Sequence, residues 1–153
     1  MTTEDEEHRK FLQMAIDESR FSIEHGSSPF GAVIVKDGKI ISKAHNSVVF
    51  SNDATAHAEV NAIRMAGKVL NTFDLTGCIL YTSCEPCPMC LNAAKWANIE
   101  KIYFAADRDD ADKIGFRDRV FYEETDISLN RILLPQAEEI MQKWYKSKNK
   151  KPY

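Results

Sequence analysis

The sequence is poor in several features that would assign it to a specialised class of protein. No apolar run approaches the roughly 20 residues of a membrane-spanning helix, so no membrane association is expected. No internal repeat or long linker interrupts the 153 residues, a length typical of a single domain. Basic residues are not in excess, because 20 Lys and Arg stand against 23 Asp and Glu. The resulting net charge of −3 disfavours a large nucleic-acid footprint.

Cysteine is also scarce, and its distribution is uneven. Only four are present: Cys78, Cys84, Cys87 and Cys90. Three of them fall within seven residues, which indicates metal binding in a reducing compartment rather than a disulfide framework. Residues 1–7 are polar and acidic, unlike a signal peptide. We therefore expect a cytoplasmic protein with one domain over residues 1–153.

Hydrophobic patterns along the chain predict alternating helices and strands. A helical stripe covers residues 6–23, and Asp37-Gly38 predicts a hairpin between two short apolar strands. The remaining strands are predicted at residues 78–82 and 101–105, and the remaining helices at 55–67, from Pro88 onward, and at 136–144. The acidic residues 107–112 are predicted to form a loop. A hairpin followed by alternating helices and strands is typical of an α/β sandwich.

Two short motifs, His57-Ala58-Glu59 and Pro86-Cys87-Pro88-Met89-Cys90, carry the chemistry. Imidazole and thiolate are good zinc ligands, and three protein ligands leave a fourth tetrahedral position for water, as in catalytic zinc sites. Cys87 and Cys90 are three residues apart near a helix start, whose partial positive charge favours thiolates. Glu59 is then placed to move protons on and off that water.

Other interpretations of these residues remain open. Cys84 could join His57, Cys87 and Cys90 in a closed structural zinc site, although this leaves Glu59 without a role. Cys78 lies in an apolar run and is predicted to be core. His8 and His25 are predicted to be solvated surface groups.

The pattern H-x-E…P-C-x-x-C is the signature of zinc-dependent nucleobase deaminases. The chain resembles the cytidine-deaminase superfamily and, within it, the small guanine deaminases. The resemblance covers essentially the whole chain. It is carried by residues 29–38, 51–60 and 80–91 (LYTSCEPCPMCL), and more narrowly by residues 114–118 and 149–153.

The resemblance implies a three-layer α/β/α sandwich around a five-stranded mixed sheet. It implies one Zn²⁺ per subunit, held by His57, Cys87 and Cys90 with a catalytic water as fourth ligand. Glu59 is similar to the family's proton shuttle. The implied reaction is the hydrolysis of guanine to xanthine and ammonia in purine catabolism.

The resemblance also implies how the base is held. Asn46, Asp118 and Tyr153 resemble residues that recognise guanine, and Phe30 and Trp96 resemble residues that pack on its ring. A homodimer is implied, in which the segment of about residues 136–153 is exchanged and acts as a lid on the partner's active site. The sequence departs from the family pattern at Arg117, where an acidic residue is expected, and at Pro152.

Each recognition residue also has a purely structural interpretation. Asp118 could cap a helix, Asn46 could be a turn residue, and Tyr153 could be the end of a disordered tail. Phe30 and Trp96 could belong to the core alone.

The expected function is therefore zinc-dependent deamination of guanine, with neither a nucleic-acid nor a membrane partner. The same chemistry on guanosine, cytosine or tRNA adenosine is an alternative, because the zinc motif does not select the substrate. A non-enzymatic zinc module that binds a partner through its basic C-terminal helix is the alternative from another class.

Overall fold

The computed structural model describes residues 2–122, 127–149 and 151–153. The chain forms two compact units, Met1–Glu123 and Glu124–Tyr153. The first contains α1 (Thr3–Glu24), β1 (Gly31–Lys36), β2 (Lys39–His45), α2 (Val48–Ser51), α3 (Ala58–Leu70), β3 (Cys78–Cys84), α4 (Pro88–Trp96), β4 (Lys101–Ala106), α5 (Arg108–Lys113) and the 3-10 helix η1 (Asp118–Tyr122). The second contains α6 (Pro135–Tyr145).

The sheet of the first unit is mixed and has the strand order β2-β1-β3-β4. Strand β1 pairs antiparallel with both β2 and β3, whereas β3 and β4 are parallel. The predicted hairpin is confirmed: Asp37 and Gly38, at φ 51° and 75°, form the two-residue turn between β1 and β2. Asp and Gly tolerate this left-handed backbone, and it matches the twist of the flanking strands.

The expectation of five strands is wrong for the described part of the chain, where the sheet has four. The apolar run Ile132-Leu133-Leu134 is composed like a strand but forms no strand and no sheet hydrogen bonds. A strand is stabilised by pairing, and the second unit offers no other strand in its described residues.

Alternate side chains of the central strands separate two hydrophobic clusters. Ala32, Ile34 and Leu80 pack with alanines of α3 and α4, whereas Val33, Val35 and Tyr81 pack with Phe11 and Ala15 of α1. This is the period-2 alternation of a sheet that is covered on both faces. The α/β fold is therefore confirmed, with helices on both sides of the sheet in the first unit.

Gly31 allows α1 to approach the start of β1 closely. A Cβ atom at this position would lie 2.2 Å from the backbone oxygen of Ala15. Any side chain would push the helix away from the strand. Because position 31 has no side chain, the start of β1, which lines the cavity described below, can pack directly against α1.

The prediction of a loop at residues 107–112 is wrong, because α5 lies there. Asp107 accepts a hydrogen bond from the backbone N–H of Asp110, and the Asp110 carboxylate accepts one from the backbone N–H of Asp107, both at 2.9 Å. This reciprocal cap satisfies two amide groups at the helix start and favours acidic residues there.

The second unit is built around α6, which agrees with the predicted helix at 136–144 and begins at Pro135. Apart from Ser147, every described side chain of this unit is exposed. The exposed apolar residues are Ile127, Leu129, Ile132, Leu133, Leu134, Ile140, Met141, Trp144, Tyr145 and Tyr153. None of the helices in the described ranges has the length and apolarity to span a bilayer.

Candidate metal centre and adjoining cavity

Two helix N-termini bring the predicted zinc ligands together. His57 is the N-cap of α3 and Cys87 is the N-cap of α4, each with extended backbone angles. Pro88 occupies the first turn of α4, where its missing N–H costs no hydrogen bond. Cys90 follows in the same turn and is fully buried. The local sequence thus fixes three side chains at the positive ends of two helices.

The distances between these side chains fit a tetrahedral zinc ion. His57 Nδ1 lies 3.5 Å from Cys90 Sγ and 3.7 Å from Cys87 Sγ. The three candidate ligand atoms all lie within 4.8 Å of one another. Zinc bonds of about 2.3 Å to sulfur and about 2.0 Å to nitrogen place such atoms roughly 3.5 Å apart. The residues present therefore fit the metal.

The three side chains share protons in a way that leaves negative charge on sulfur. Hydrogen bonding with Cys90 lowers the pKa of Cys87 to about 4, and His57 contributes in the same direction. The same hydrogen bond, together with burial, raises the pKa of Cys90. The hydrogen bond with Cys87 raises the pKa of His57. A thiolate is thus present at neutral pH, ready for a cation.

Cys84 does not join this cluster. Among the described residues, the candidate metal-binding group consists of His57, Cys87 and Cys90. The Cys84 thiol instead donates to the carbonyl oxygen of Asp107 at 3.5 Å, and burial raises its pKa to about 11. The closed four-ligand arrangement is therefore not formed, and the cluster has the three-ligand composition typical of catalytic zinc.

Glu59 lies in the first turn of α3, two residues after His57, and is only 7% exposed. Burial raises the pKa of its carboxyl group, since water no longer solvates the charged form. Glu59 also lines the same cavity as His57 and Cys87. A carboxyl group that can bind and release a proton thus adjoins the ligand cluster.

The cavity has a volume of about 410 Å³ and lies within the first unit. Small-molecule sites commonly span about 300–1,000 Å³. Six of the residues predicted for the site line it: Phe30, Asn46, His57, Glu59, Cys87 and Asp118. The structure therefore collects residues from five separate segments of the chain around one space.

Asn46 is buried, and its carboxamide is oriented by the backbone. Its Oδ1 accepts a hydrogen bond from the backbone N–H of Val48 at 3.0 Å. The amide orientation follows from this bond, which leaves the NH₂ group as the remaining hydrogen-bonding group of a side chain that lines the cavity. Asn46 is thus a turn-forming residue and, in addition, a candidate donor toward a bound molecule.

Asp118 and Phe30 provide an acceptor and an aromatic ring. Asp118 is the half-buried first residue of η1, and the described residues provide it with no hydrogen-bond donor. Phe30 makes an edge-to-face contact with Phe116, with ring centroids 4.8 Å apart and planes at 75°. The cavity thus combines an anionic acceptor with an aromatic wall.

A comparison of the sequence with known protein families agrees with the zinc site that this geometry indicates. Residues 5–106 match the family described as the cytidine and deoxycytidylate deaminase zinc-binding region. The chain belongs to this deaminase family. The matched region contains His57, Glu59, Cys87 and Cys90, and it ends at the last residue of β4.

Individual relatives of this deaminase chain extend the likeness beyond the matched region. The chain is 46% identical to guanine deaminase of Bacillus subtilis over 154 residues, covering 95% of this chain and 99% of the relative. The X-ray structure of guanine deaminase from Bacillus subtilis has a TM-score of 0.90 and 45% identity, covering 100% of this chain and 99% of that one. A tRNA-specific adenosine deaminase of Aquifex aeolicus is 52% identical over 96 residues, 63% of this chain and 64% of the relative.

Two predicted residues lie elsewhere in the deaminase chain. Trp96 is the last residue of α4, is 66% exposed and is absent from the cavity lining. Tyr153 ends the second unit and is 81% exposed there. The suggested roles of both residues in holding a base stay predictions.

Sequence reasoning did not assign Glu85 to the site, although it lines the cavity. Its carboxylate pairs with Arg108, which lowers the pKa of Glu85. Arg117, noted only as a departure from the family pattern, lines the cavity too. Glu85 precedes the zinc motif by one residue, and this position was the available signal. Its partner Arg108 lies 23 residues later, and nothing in the sequence around Arg108 indicates this pairing.

Proposed function

We propose that the chain catalyses zinc-dependent hydrolysis of guanine to xanthine and ammonia. The observation that carries the proposal is that one cavity is lined by two of the candidate zinc ligands, His57 and Cys87, and by the buried Glu59. The polar side chains of Asn46 and Asp118 line the same cavity. The likeness to a guanine deaminase over 95% of this chain supports the choice of base.

In this proposal His57, Cys87 and Cys90 hold one zinc ion per subunit. When bound, zinc supplies a water of lowered pKa as the nucleophile. Glu59 would take one proton from the attacking water and give it to a ring nitrogen of the base. It would then take the second proton from the hydroxyl group added to the ring carbon and give it to the amino nitrogen, which leaves as ammonia while that carbon becomes a carbonyl. Burial raises the pKa of the Glu59 carboxyl group, which favours the protonated form that this transfer uses.

The cavity residues orient the base for attack on the carbon that carries the amino group. The free NH₂ of Asn46 donates to a ring nitrogen or carbonyl acceptor, because its oxygen is occupied by Val48. Asp118 accepts from a ring N–H, and Phe30 packs against the planar ring. Guanine offers both acceptors and N–H donors on its edges, which suits this pair.

We further propose that the second unit completes the site of another subunit. Its apolar side chains are exposed along α6 and in the residues before it, which is an unusually large exposed apolar surface. Exchange with a second copy buries this surface and closes a lid of about residues 136–153, with Tyr153 over the base. A homodimer is the assembly that this exchange requires. All four cysteines are free thiols, which supports a cytoplasmic location.

The experiment that tests the function is a substrate panel. Guanine, guanosine, adenine, cytosine, cytidine and an RNA stem-loop are incubated with the zinc-loaded protein, and released ammonia is measured. We expect guanine to be preferred by at least tenfold in kcat/KM. Preference for any other substrate would overturn the choice of guanine, and zinc binding without ammonia release would support a structural zinc module.

The RNA arm of the panel is included because of the tRNA-specific relative. That relative is 52% identical over 96 residues, against 46% over 154 residues for the guanine deaminase. The zinc motif by itself does not select between the two substrates. The net charge of −3 favours the free base, because RNA binding relies on basic residues that neutralise phosphates.

A further inference from the structure

Arg108, the first residue of α5, holds the side chain of Glu85 at the edge of the cavity. Its Nε donates to Glu85 Oε2 at 3.1 Å, and its backbone N–H donates to Glu85 Oε1 at the same distance. A further bond joins Nη2 to Oε2. Both carboxylate oxygens are thus engaged, which fixes the plane of the carboxylate.

The planar face of the same guanidinium stacks on the ring of Tyr122. The guanidinium carbon lies 3.8 Å from the centre of the Tyr122 ring. Tyr122 ends η1, whose first residue is Asp118. The Tyr122 hydroxyl donates to the carbonyl oxygen of Pro86 at 2.7 Å. Pro86 directly precedes Cys87, so Tyr122 joins the loop before the metal ligand to the helix that begins with Asp118.

The ion pair also controls charge inside the cavity. Glu85 lines the cavity and its side chain is only 18% exposed. The positive charge of Arg108 compensates the negative charge of the Glu85 carboxylate and holds that side chain against the start of α5. Released from Arg108, it would become a second carboxylate acceptor in the same cavity as Asp118, and would compete for N–H donors or for a metal ion.

We propose that Arg108 is a positioning residue that couples metal retention to base binding. It acts through Glu85 and Tyr122, which together fix the loop before Cys87 and the helix of Asp118. The base-binding half of this inference rests on the proposed function, whereas the metal-binding half does not.

The test compares the full-length protein with the variant Arg108→Met. Zinc affinity is measured by competition with a coloured chelator, and kcat and KM for guanine are measured at saturating zinc. We expect zinc affinity to fall at least tenfold and KM to rise at least fivefold, with kcat within threefold of the original. The chelator assay needs no substrate, so it stands even if guanine is not deaminated.

Arg119→Met is the matched control. Arg119 lies in η1 and pairs with Asp109 of α5, so it joins the same two elements through an ion pair that involves neither Glu85 nor Tyr122. It is not one of the residues that line the cavity. We expect wild-type zinc affinity and KM from it. The proposal is overturned if Arg108→Met behaves like this control, or if only one of its two readouts changes.

Tyr122→Phe decides the question if Arg108→Met does not fold. It keeps the ring beneath the guanidinium and removes only the bond to Pro86. We expect zinc affinity to fall at least threefold and KM to rise at least twofold. Wild-type values for both quantities would overturn the proposal.

Discussion

Two histidines on opposite faces of the sheet form similar hydrogen bonds but lie in different surroundings. His57, at the start of α3, contacts the Cys87 and Cys90 thiols at 3.7 and 3.5 Å. His8, in α1, shares a 2.7 Å hydrogen bond with the Tyr81 hydroxyl and stacks on Tyr103, with ring centroids 4.2 Å apart. A histidine with a hydrogen-bond partner is therefore not sufficient to identify a functional site.

The surroundings make the difference. Around His57, two sulfur ligands, a buried carboxyl group and a 410 Å³ cavity meet at two helix N-termini. Around His8, the neighbours are aromatic rings of a hydrophobic cluster. The α3–α4 face of the sheet thus holds groups that can react, and the α1 face holds groups that pack. The following variants test this division, from the largest expected change in activity to the smallest.

Glu59→Gln tests the proton carrier of the reactive face. The amide keeps the size of the side chain but cannot transfer protons, and general acid–base catalysis contributes about 10²–10⁴-fold. We expect kcat for guanine to fall about 10³-fold or more, with unchanged zinc content by metal analysis. Glu100→Gln, an exposed position, is the control. Near-normal kcat with zinc retained would remove Glu59 from the mechanism.

Asp118→Asn tests recognition of the base on the same face. Replacing the carboxylate by an amide removes a charged acceptor, a loss that corresponds to about 10–100-fold in binding. We expect kcat/KM for guanine to fall in this range, mostly through KM. The exposed Asp112→Asn serves as control and should leave kcat/KM unchanged. An equal effect of the two variants would exclude Asp118 from the base site.

Deletion of Tyr153 tests whether the second unit contributes to the reactive face. We expect a several-fold loss of kcat/KM on guanine, because an aromatic group that covers the base would be missing. Lys148→Ala, in the same terminal segment, should have no such effect. Wild-type kinetics after the deletion would refute the lid.

His8→Ala tests the packing face, where no loss of activity is expected. Removing one hydrogen bond and one ring stack should lower the free energy of unfolding by about 1–2 kcal/mol. We expect kcat and KM within twofold of the original, and a lower urea midpoint. A selective loss of kcat in a folded variant would break the division between the faces.

Alkaline pH should lower the free energy of unfolding through Tyr81, which packs on the α1 face of the sheet. Burial raises the pKa of Tyr81 to about 12, above the ordinary value of about 10 for the unfolded chain. The folded state therefore holds this proton more tightly, and its stabilising effect is complete below pH 10 and lost as pH rises through 12. Urea unfolding at pH 9 and pH 11.5 should show a larger decrease in stability for the original protein than for Tyr81→Phe. Equal decreases would contradict the expectation.

The metal cluster could be predicted from sequence because its geometry is local. His57 and Cys87 are both N-caps, and Cys87 and Cys90 lie in one helical turn. The hairpin at Asp37-Gly38 was predictable for the same reason. These features depend on backbone preferences over two to four residues.

Features that depend on distant contacts were missed. His8 was predicted to be a solvated surface group, but its side chain is only partly exposed, because Tyr81 and Tyr103 on the sheet lie beneath it. The same holds for Arg108, whose partner Glu85 lies 23 residues earlier. The helix at Arg108–Lys113 was missed for another reason: a run of acidic residues suggests a solvated loop unless the reciprocal cap of Asp107 and Asp110 is recognised.

The bond from the Val48 N–H to Asn46 has a consequence for how base preference can evolve. Because the backbone secures only the oxygen, Asn46→Asp would preserve that bond and exchange the donor for an acceptor. Exchanging this one heavy atom would then reverse the hydrogen-bonding preference of this side of the cavity, at the cost of one more buried carboxylate beside Glu59 and Asp118. A single-nucleotide mutation thus separates two hydrogen-bonding preferences at this position.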